Sequence, residues 1–145
     1  MLSLRLFFTS ISLFSFHIFS LAQNSLTVEI KNIRNASGCI LISLYSAEDG
    51  FPNNADKALK KGKLSSVSKE SVLFTFKDVV PGTYAVSVFH DEDCNGQMKT
   101  NVLGIPLEGT AASNDARGRF GPPKFADAKF SLSGDKRISL SLYYY

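Results

Sequence analysis

Apolar and polar residues alternate along most of the chain after residue 22, and this period of two constrains the fold more than any other feature. Leu26, Val28 and Ile30 show it first, with polar residues between them. Because successive side chains of a β-strand point to opposite faces, the alternation predicts strands with one buried and one solvated face. We predict strands at residues 26–33, 39–45, 72–76, 84–89, 97–102, 129–132 and 137–145.

Turn residues and one irregular region separate these segments. Asn95-Gly96 favours a hairpin because both residues accept positive φ angles, and Asp56 can cap a short helix that ends at Gly62. Residues 103–127 are rich in Gly, Pro and charge and show no period, which predicts one long ordered loop. The sequence therefore predicts an all-β fold, an antiparallel Greek-key-type β-sandwich of about seven strands with one short helix.

The first 22 residues have the organisation of a signal peptide. Arg5 supplies positive charge, residues 6–21 are mostly apolar, and Ser20-Leu21-Ala22 places small residues before a cleavage site. A membrane anchor is the alternative, but the apolar stretch is about 16 residues long and a bilayer needs about 20. We predict a signal peptide over residues 1–22 and one exported domain, periplasmic or secreted and without a transmembrane segment, over residues 23–145.

Two cysteines, Cys39 and Cys94, lie in the part of the chain that is predicted to leave the cytosol. An oxidising destination favours a disulfide, which would stabilise the fold by roughly 4 kcal/mol. Two free thiols are the alternative. The net charge is only +3 and the lysines are scattered apart from those within residues 57–63, so the composition does not favour nucleic acid as a partner.

Asp91, Asp93 and Asn95, followed by Gly96, reproduce the opening of a calcium-binding loop. Alternate positions direct oxygen ligands toward one centre, and Ca²⁺ takes about six to eight of them. The pattern then ends, because Val102 stands where a complete loop has a bidentate glutamate. A hairpin tip without a metal is the alternative. The candidate ligands for weak calcium binding are Asp91, Asp93, Asn95 and Gln97, with Glu108 or Asn101 completing the site.

Three basic side chains near this loop each have two interpretations. His90 either bonds to loop backbone at a strand end or forms half of a catalytic pair with Asp91, but no motif for an activated nucleophile accompanies it. Arg117 and Arg119 either tie the long loop to the acidic residues or contact a carboxylate or phosphate of a ligand. The sequence therefore predicts no catalytic residues.

Four segments, at residues 81–86, 90–96, 101–109 and 113–125, carry a family likeness. Through them the chain resembles, over residues 26–144, the bacterial exported family called domain of unknown function 2141. The resemblance implies a small secreted or periplasmic β-sandwich, similar to prealbumin-like or immunoglobulin-like modules. No activity is established for the family, so the resemblance implies no catalytic residues.

These inferences favour an exported, non-enzymatic module that binds a ligand, a glycan or an envelope protein through residues 90–125, with or without weakly bound calcium. A purely structural accessory domain of the cell envelope is the second hypothesis, and a hydrolase that uses His90 is a remote third. Binding requires an exposed aromatic patch near Phe120 and Phe125, whereas a structural domain would bury both. A hydrolase requires a pocket that joins His90 to a nucleophile such as Ser113.

Overall fold

The computed structural model describes residues 23–65 and 67–145, so the predicted signal peptide lies outside the described residues. Short helical turns occur at Ala55–Lys57 and Ser113–Asp115, both of the 3-10 type, and at α1 (Phe125–Ala128). No helix within the described ranges is long and apolar enough to cross a membrane. The strands of these ranges are β1 (Asn24–Lys31), β2 (Cys39–Tyr45), β3 (Lys60–Leu64), β4 (Ser71–Val79), β5 (Gly82–Asp91), β6 (Gly109–Ala112), β7 (Phe130–Leu132) and β8 (Lys136–Ser141).

The strands form two sheets. One has the order β4–β1–β8, and the other has the order β3–β2–β5–β6 with β7 also paired to β5. The pairs are antiparallel except β1–β8, in which Val28 lies opposite Ile138 and Ile30 lies opposite Leu140 in parallel register. The predicted all-β sandwich is confirmed. Alternation does not reveal the parallel pair, because side chains alternate with the same period in both pairing modes.

The core lies between the two sheets. Leu26, Val28 and Ile30 of β1 are fully buried and pack in one cluster with Ile42 and Leu44 of β2. Burying each of these aliphatic side chains contributes about 1.5–3 kcal/mol relative to leaving it exposed. The two sheets are therefore held together by the residues whose alternation identified the strands.

The segment that was predicted as a short helix is a three-residue 3-10 turn followed by the edge strand β3. Lys61 and Lys63 are exposed on β3, as charged residues commonly are on an edge strand. Gly62 does not end a helix. It lies opposite Ile42 in the sheet, where an added Cβ would overlap the Phe74 ring.

Residues 97–102 were predicted to be a strand, and this prediction is wrong. They belong to a loop in which one isolated pair joins Thr100 to Pro106. The backbone N–H of Lys99 donates to the side chain of Glu108 rather than to a neighbouring strand. The long loop predicted at 103–127 is also shorter than expected, because β6 and α1 lie within or at the end of it.

Candidate functional site

The acidic loop, residues 91–96, begins where β5 ends. Asp91 is fully buried, and its carboxylate accepts hydrogen bonds from the backbone N–H groups of Asn95 at 3.1 Å and Gly96 at 2.6 Å. Gly96 has a φ of 78°, which favours glycine. The Asp91 side chain thus stabilises the turn that follows it.

Glu108 holds the acidic loop from the neighbouring segment. Its side chain is buried, and one carboxylate oxygen accepts from the N–H of Glu92 and the other from the N–H of Lys99, both at 2.9 Å. Hydrogen bonds to a charged acceptor contribute more than neutral ones, about 1.5–3 kcal/mol each. Glu108 therefore fixes both ends of residues 92–99.

Asp91, Asp93 and Glu108 each place one carboxylate oxygen within 4.8 Å of the others. The Lys99 ammonium already lies 2.6 Å from Asp93. Its hydrogen bond lowers the pKa of the Asp93 carboxyl, and Asp93 in turn raises the pKa of Lys99. A lysine therefore supplies positive charge beside these three carboxylates.

Of the other candidate calcium ligands, Asn95 lies beside Asp93, and its Nδ2 donates to Asp93 Oδ2 at 3.0 Å. Asn95 Oδ1 accepts from the N–H of Gln97 at 2.7 Å, and Gln97 itself is exposed. Asn101 Oδ1 accepts from the N–H groups of Leu103 and Ile105, within its own turn. The carboxylates of three of the six predicted ligands thus lie together with Asn95 beside them, and calcium binding stays a prediction.

The predicted disulfide between Cys39 and Cys94 is present, with the two Cα atoms 5.4 Å apart. Cys39 is fully buried at the start of β2 and lies opposite Asp91 of β5. Cys94 has a φ of 59° within the acidic loop. The bond therefore fastens this loop to the five-stranded sheet.

His90 is fully buried beside the acidic loop. Its Nε2 lies 2.9 Å from the Ser37 carbonyl oxygen, and its Nδ1 lies 2.8 Å from the Tyr144 hydroxyl. Because a carbonyl only accepts, Nε2 donates, and a neutral ring then accepts from Tyr144 at Nδ1. Burial raises the pKa of Tyr144, so this hydroxyl keeps its proton at neutral pH. His90 therefore joins the segment between β1 and β2 to the C-terminal segment.

Ser113, the nucleophile considered for a hydrolase, is also buried. Its Oγ accepts from the N–H of Val86 at 2.9 Å and donates to the carbonyl oxygen of Ala128 at 2.6 Å. The hydroxyl thus joins β5 to the end of α1, and the structure gives both Ser113 and His90 bonding roles within the fold.

An ion pair that no sequence pattern predicted joins Arg34 to Glu92, 58 positions away in the chain. The guanidinium donates to both carboxylate oxygens, at 3.0 and 2.8 Å, and Asn35 adds a third bond at 2.8 Å. These contacts, led by the Arg34 hydrogen bond, lower the pKa of Glu92. Arg34 also lies over the Tyr144 ring, with 4.4 Å between its Cζ and the ring centroid. No local pattern in one sequence pairs residues so far apart.

The outer face of the five-stranded sheet carries an open groove of about 840 Å³, which we call the outer groove. Leu41, Phe89 and Thr110 form a row across its floor, on β2, β5 and β6, and all three are half-buried. Small pockets for organic ligands commonly have volumes of about 300–1,000 Å³. The outer groove is thus of ligand size and has a mostly apolar floor.

Two loops form the walls of the outer groove. Residues of the segments 96–106 and 118–123 line the groove and form what we call its two walls, and Tyr143 and Tyr145 add aromatic rings to the lining. Phe120 is 99% exposed and Leu103 is 79% exposed. Both walls therefore expose a large apolar side chain to solvent.

The other half of the same sheet face is covered. Phe51 and Phe125 pack in a T-shaped pair, with ring centroids 5.8 Å apart, against a cluster that contains Ala85 and Ala112. The Tyr45 ring packs against Phe51, with 5.3 Å between the two ring centroids. Phe125 is thus part of a small second core, and Phe120 alone has the exposure that the binding hypothesis requires.

Arg117 and Arg119 lie on the side of the outer groove formed by residues 118–123. Arg119 lines the groove, and the Arg117 guanidinium carbon lies 4.5 Å from the centroid of the Tyr143 ring. Within residues 23–65 and 67–145, the structure gives neither arginine an ion pair with an acidic residue. The loop network with Asp91, Asp93 or Glu108, one of two alternatives from the sequence, does not form.

A family model described as an uncharacterized protein conserved in bacteria, domain of unknown function 2141, matches residues 28–139. The chain belongs to this family. The match extends from β1 to β8, so it includes the acidic loop and both walls of the outer groove. No curated protein and no solved structure matches the chain. Membership confirms the resemblance and leaves the activity to be argued from the site.

Proposed function

We propose that this member of the family is an exported, non-catalytic binding module that holds a ligand with an apolar surface in the outer groove. The observation that carries the proposal is the exposure of Phe120 and Leu103 on the two walls of a groove whose floor is apolar. Single exposed apolar residues are ordinary on protein surfaces. Several that converge on one concave site are typical of a binding site.

The covered half of the same sheet face supports this proposal. There the chain covers the sheet with its own rings, Phe51 and Phe125, which pack against the second core. Leu41 and Phe89, by contrast, line the open groove. A domain with a purely structural role would gain stability by closing this half in the same way, because burial of apolar area is favourable.

Export rests on two supports. The sequence predicts a signal peptide, and the disulfide of Cys39 and Cys94 is of the kind that persists in the periplasm or outside the cell. In such a compartment the module would meet small ligands, glycans or envelope proteins.

The groove is tested with the fluorescent dye N-phenyl-1-naphthylamine, a neutral aromatic probe that brightens in apolar sites. We expect the wild-type domain to bind it and the double variant Leu103→Ser and Phe120→Ser to bind about ten-fold more weakly, since two apolar contacts are lost. Leu73→Ser is the matched control, because Leu73 is 51% exposed on β4 of the other sheet. Equal binding by all three proteins, or none by the wild type, would contradict the proposal and favour a structural role.

Weak calcium binding by Asp91, Asp93 and Glu108 is a separate proposal, and the outer groove does not depend on it. Calcium would have to displace the Lys99 ammonium from Asp93, which makes a dissociation constant on the order of 1 mM or weaker reasonable.

Removing that ammonium tests the calcium proposal. At 10 mM CaCl₂ we expect Lys99→Met to gain about 3–4 °C in melting temperature and the wild type to gain less, with MgCl₂ as the control for ionic strength. The absence of any calcium-specific gain in both proteins would rule out the site.

A further inference from the structure

We infer that the ligand of the outer groove is an amphipathic anion: a flat or chain-like apolar body with one acidic group of the carboxylate, sulfonate or phosphate type. The inference rests on the proposed function and names its ligand class. It follows from the charges at the groove, which are arranged differently from those elsewhere in the domain.

Charged side chains are nearly absent from the lining of the outer groove. Among the described residues that line it, Arg119 is the only one with a charged side chain, and there is no aspartate or glutamate. The floor offers only small hydroxyls besides its apolar groups, and Ser87 already donates its hydroxyl hydrogen to the Pro52 carbonyl at 3.0 Å. A cationic ligand would find no acidic side chain among these residues, whereas an anionic ligand finds the Arg119 guanidinium.

The arginines of the described ranges fall into two pairs. Arg34 and Arg137 each form an ion pair with a glutamate, at 2.8 and 3.2 Å, and both lie away from the groove lining. Arg117 and Arg119 have no acidic partner in these ranges, and both adjoin the outer groove. The guanidiniums without partners are thus concentrated where the apolar floor is open.

The chemistry of guanidinium fits the proposed acidic group. Its planar fork binds carboxylate and related oxyanions through two parallel hydrogen bonds, and it stacks on aromatic rings. Arg117 already stacks on Tyr143, a residue of the groove lining. The acidic group of the ligand would pair with Arg119 at the wall, while its apolar body lies along Leu41 and Phe89.

Two probes with the same skeleton separate charge from apolar contact. The dye 8-anilinonaphthalene-1-sulfonate is the neutral probe with one sulfonate added. We expect Arg119→Gln to weaken binding of the sulfonated probe about five-fold and to leave the neutral probe within about two-fold, as fits loss of one partly exposed ion pair. Arg137→Gln removes a guanidinium of the other sheet and should change neither. Added salt should weaken the binding of the sulfonated probe to the wild type, and it should have a much smaller effect on its binding to Arg119→Gln.

The outcomes separate the two proposals. If Arg119→Gln leaves the sulfonated probe unchanged, or weakens both probes equally, the anionic ligand class is wrong and the groove remains a site for neutral apolar ligands. If the wild type does not bind the neutral probe, the proposed function itself fails. Arg119 is exposed and has no ion pair in the described ranges, so its substitution should leave the melting temperature unchanged, which a thermal scan verifies.

Discussion

Replacing Cys39 and Cys94 together by alanine should lower the free energy of unfolding by about 4 kcal/mol. The disulfide closes a loop with a sequence separation of 55, which removes many conformations from the unfolded chain. Alanine suits the position of Cys39, which is fully buried, because serine would add a buried hydroxyl. Urea unfolding of both proteins, with the slope of the transition compared as well as its midpoint, gives the difference.

Wild-type protein in a strong reductant is the control, and its stability should approach that of the double variant. The variant should also show faster amide hydrogen exchange in the acidic loop, because Cys94 no longer holds this loop to Cys39. A loss of less than about 1 kcal/mol, or two free thiols in denatured, unreduced wild type, would contradict the structural role of the bond.

Sequence patterns predicted the buried strands best. β2 was predicted with its observed bounds because all of its side chains except that of Leu41 are buried, so its apolar signal is nearly continuous. β3 was missed because it is an edge strand whose exposed positions carry Lys61 and Lys63. A lysine-rich segment with a central glycine carries no strand pattern in the sequence. Only its pairing with β2 in the structure identifies it as a strand.

Of the candidate site, too, only one part could be predicted from the sequence. The acidic loop was identifiable because its residues are adjacent in sequence, and Glu108 was named with it. The floor of the outer groove brings together Leu41, Phe89 and Thr110, which only the sheet register makes neighbours. The exposure of Phe120 and the burial of Phe125 depend on how one loop packs, and the spacing of two phenylalanines does not encode that.

Replacing Glu108 by glutamine should lower the free energy of unfolding by about 2–3 kcal/mol. It should also weaken binding in the outer groove. Glutamine has the same size, but its amide nitrogen cannot accept, so the N–H of either Glu92 or Lys99 loses its buried partner. Glu70→Gln is the matched control, because Glu70 is exposed and its carboxylate forms no ion pair within the described ranges. Urea unfolding measures the loss, and amide exchange at Lys99 shows whether its bond has opened.

The effect on the groove follows from the position of Lys99 in the chain. It lies within the wall formed by residues 96–106, between Met98 and Thr100, which both line the groove. If the Glu108 carboxylate sets the position of this wall, Glu108→Gln should bind the neutral probe several-fold more weakly, even under conditions where the variant is fully folded. Retained exchange protection at Lys99 together with unchanged probe binding would show that the wall stands without Glu108. Loss of both would show that the buried Glu108 carboxylate, predicted from the sequence as a metal ligand, holds the wall of the outer groove in place.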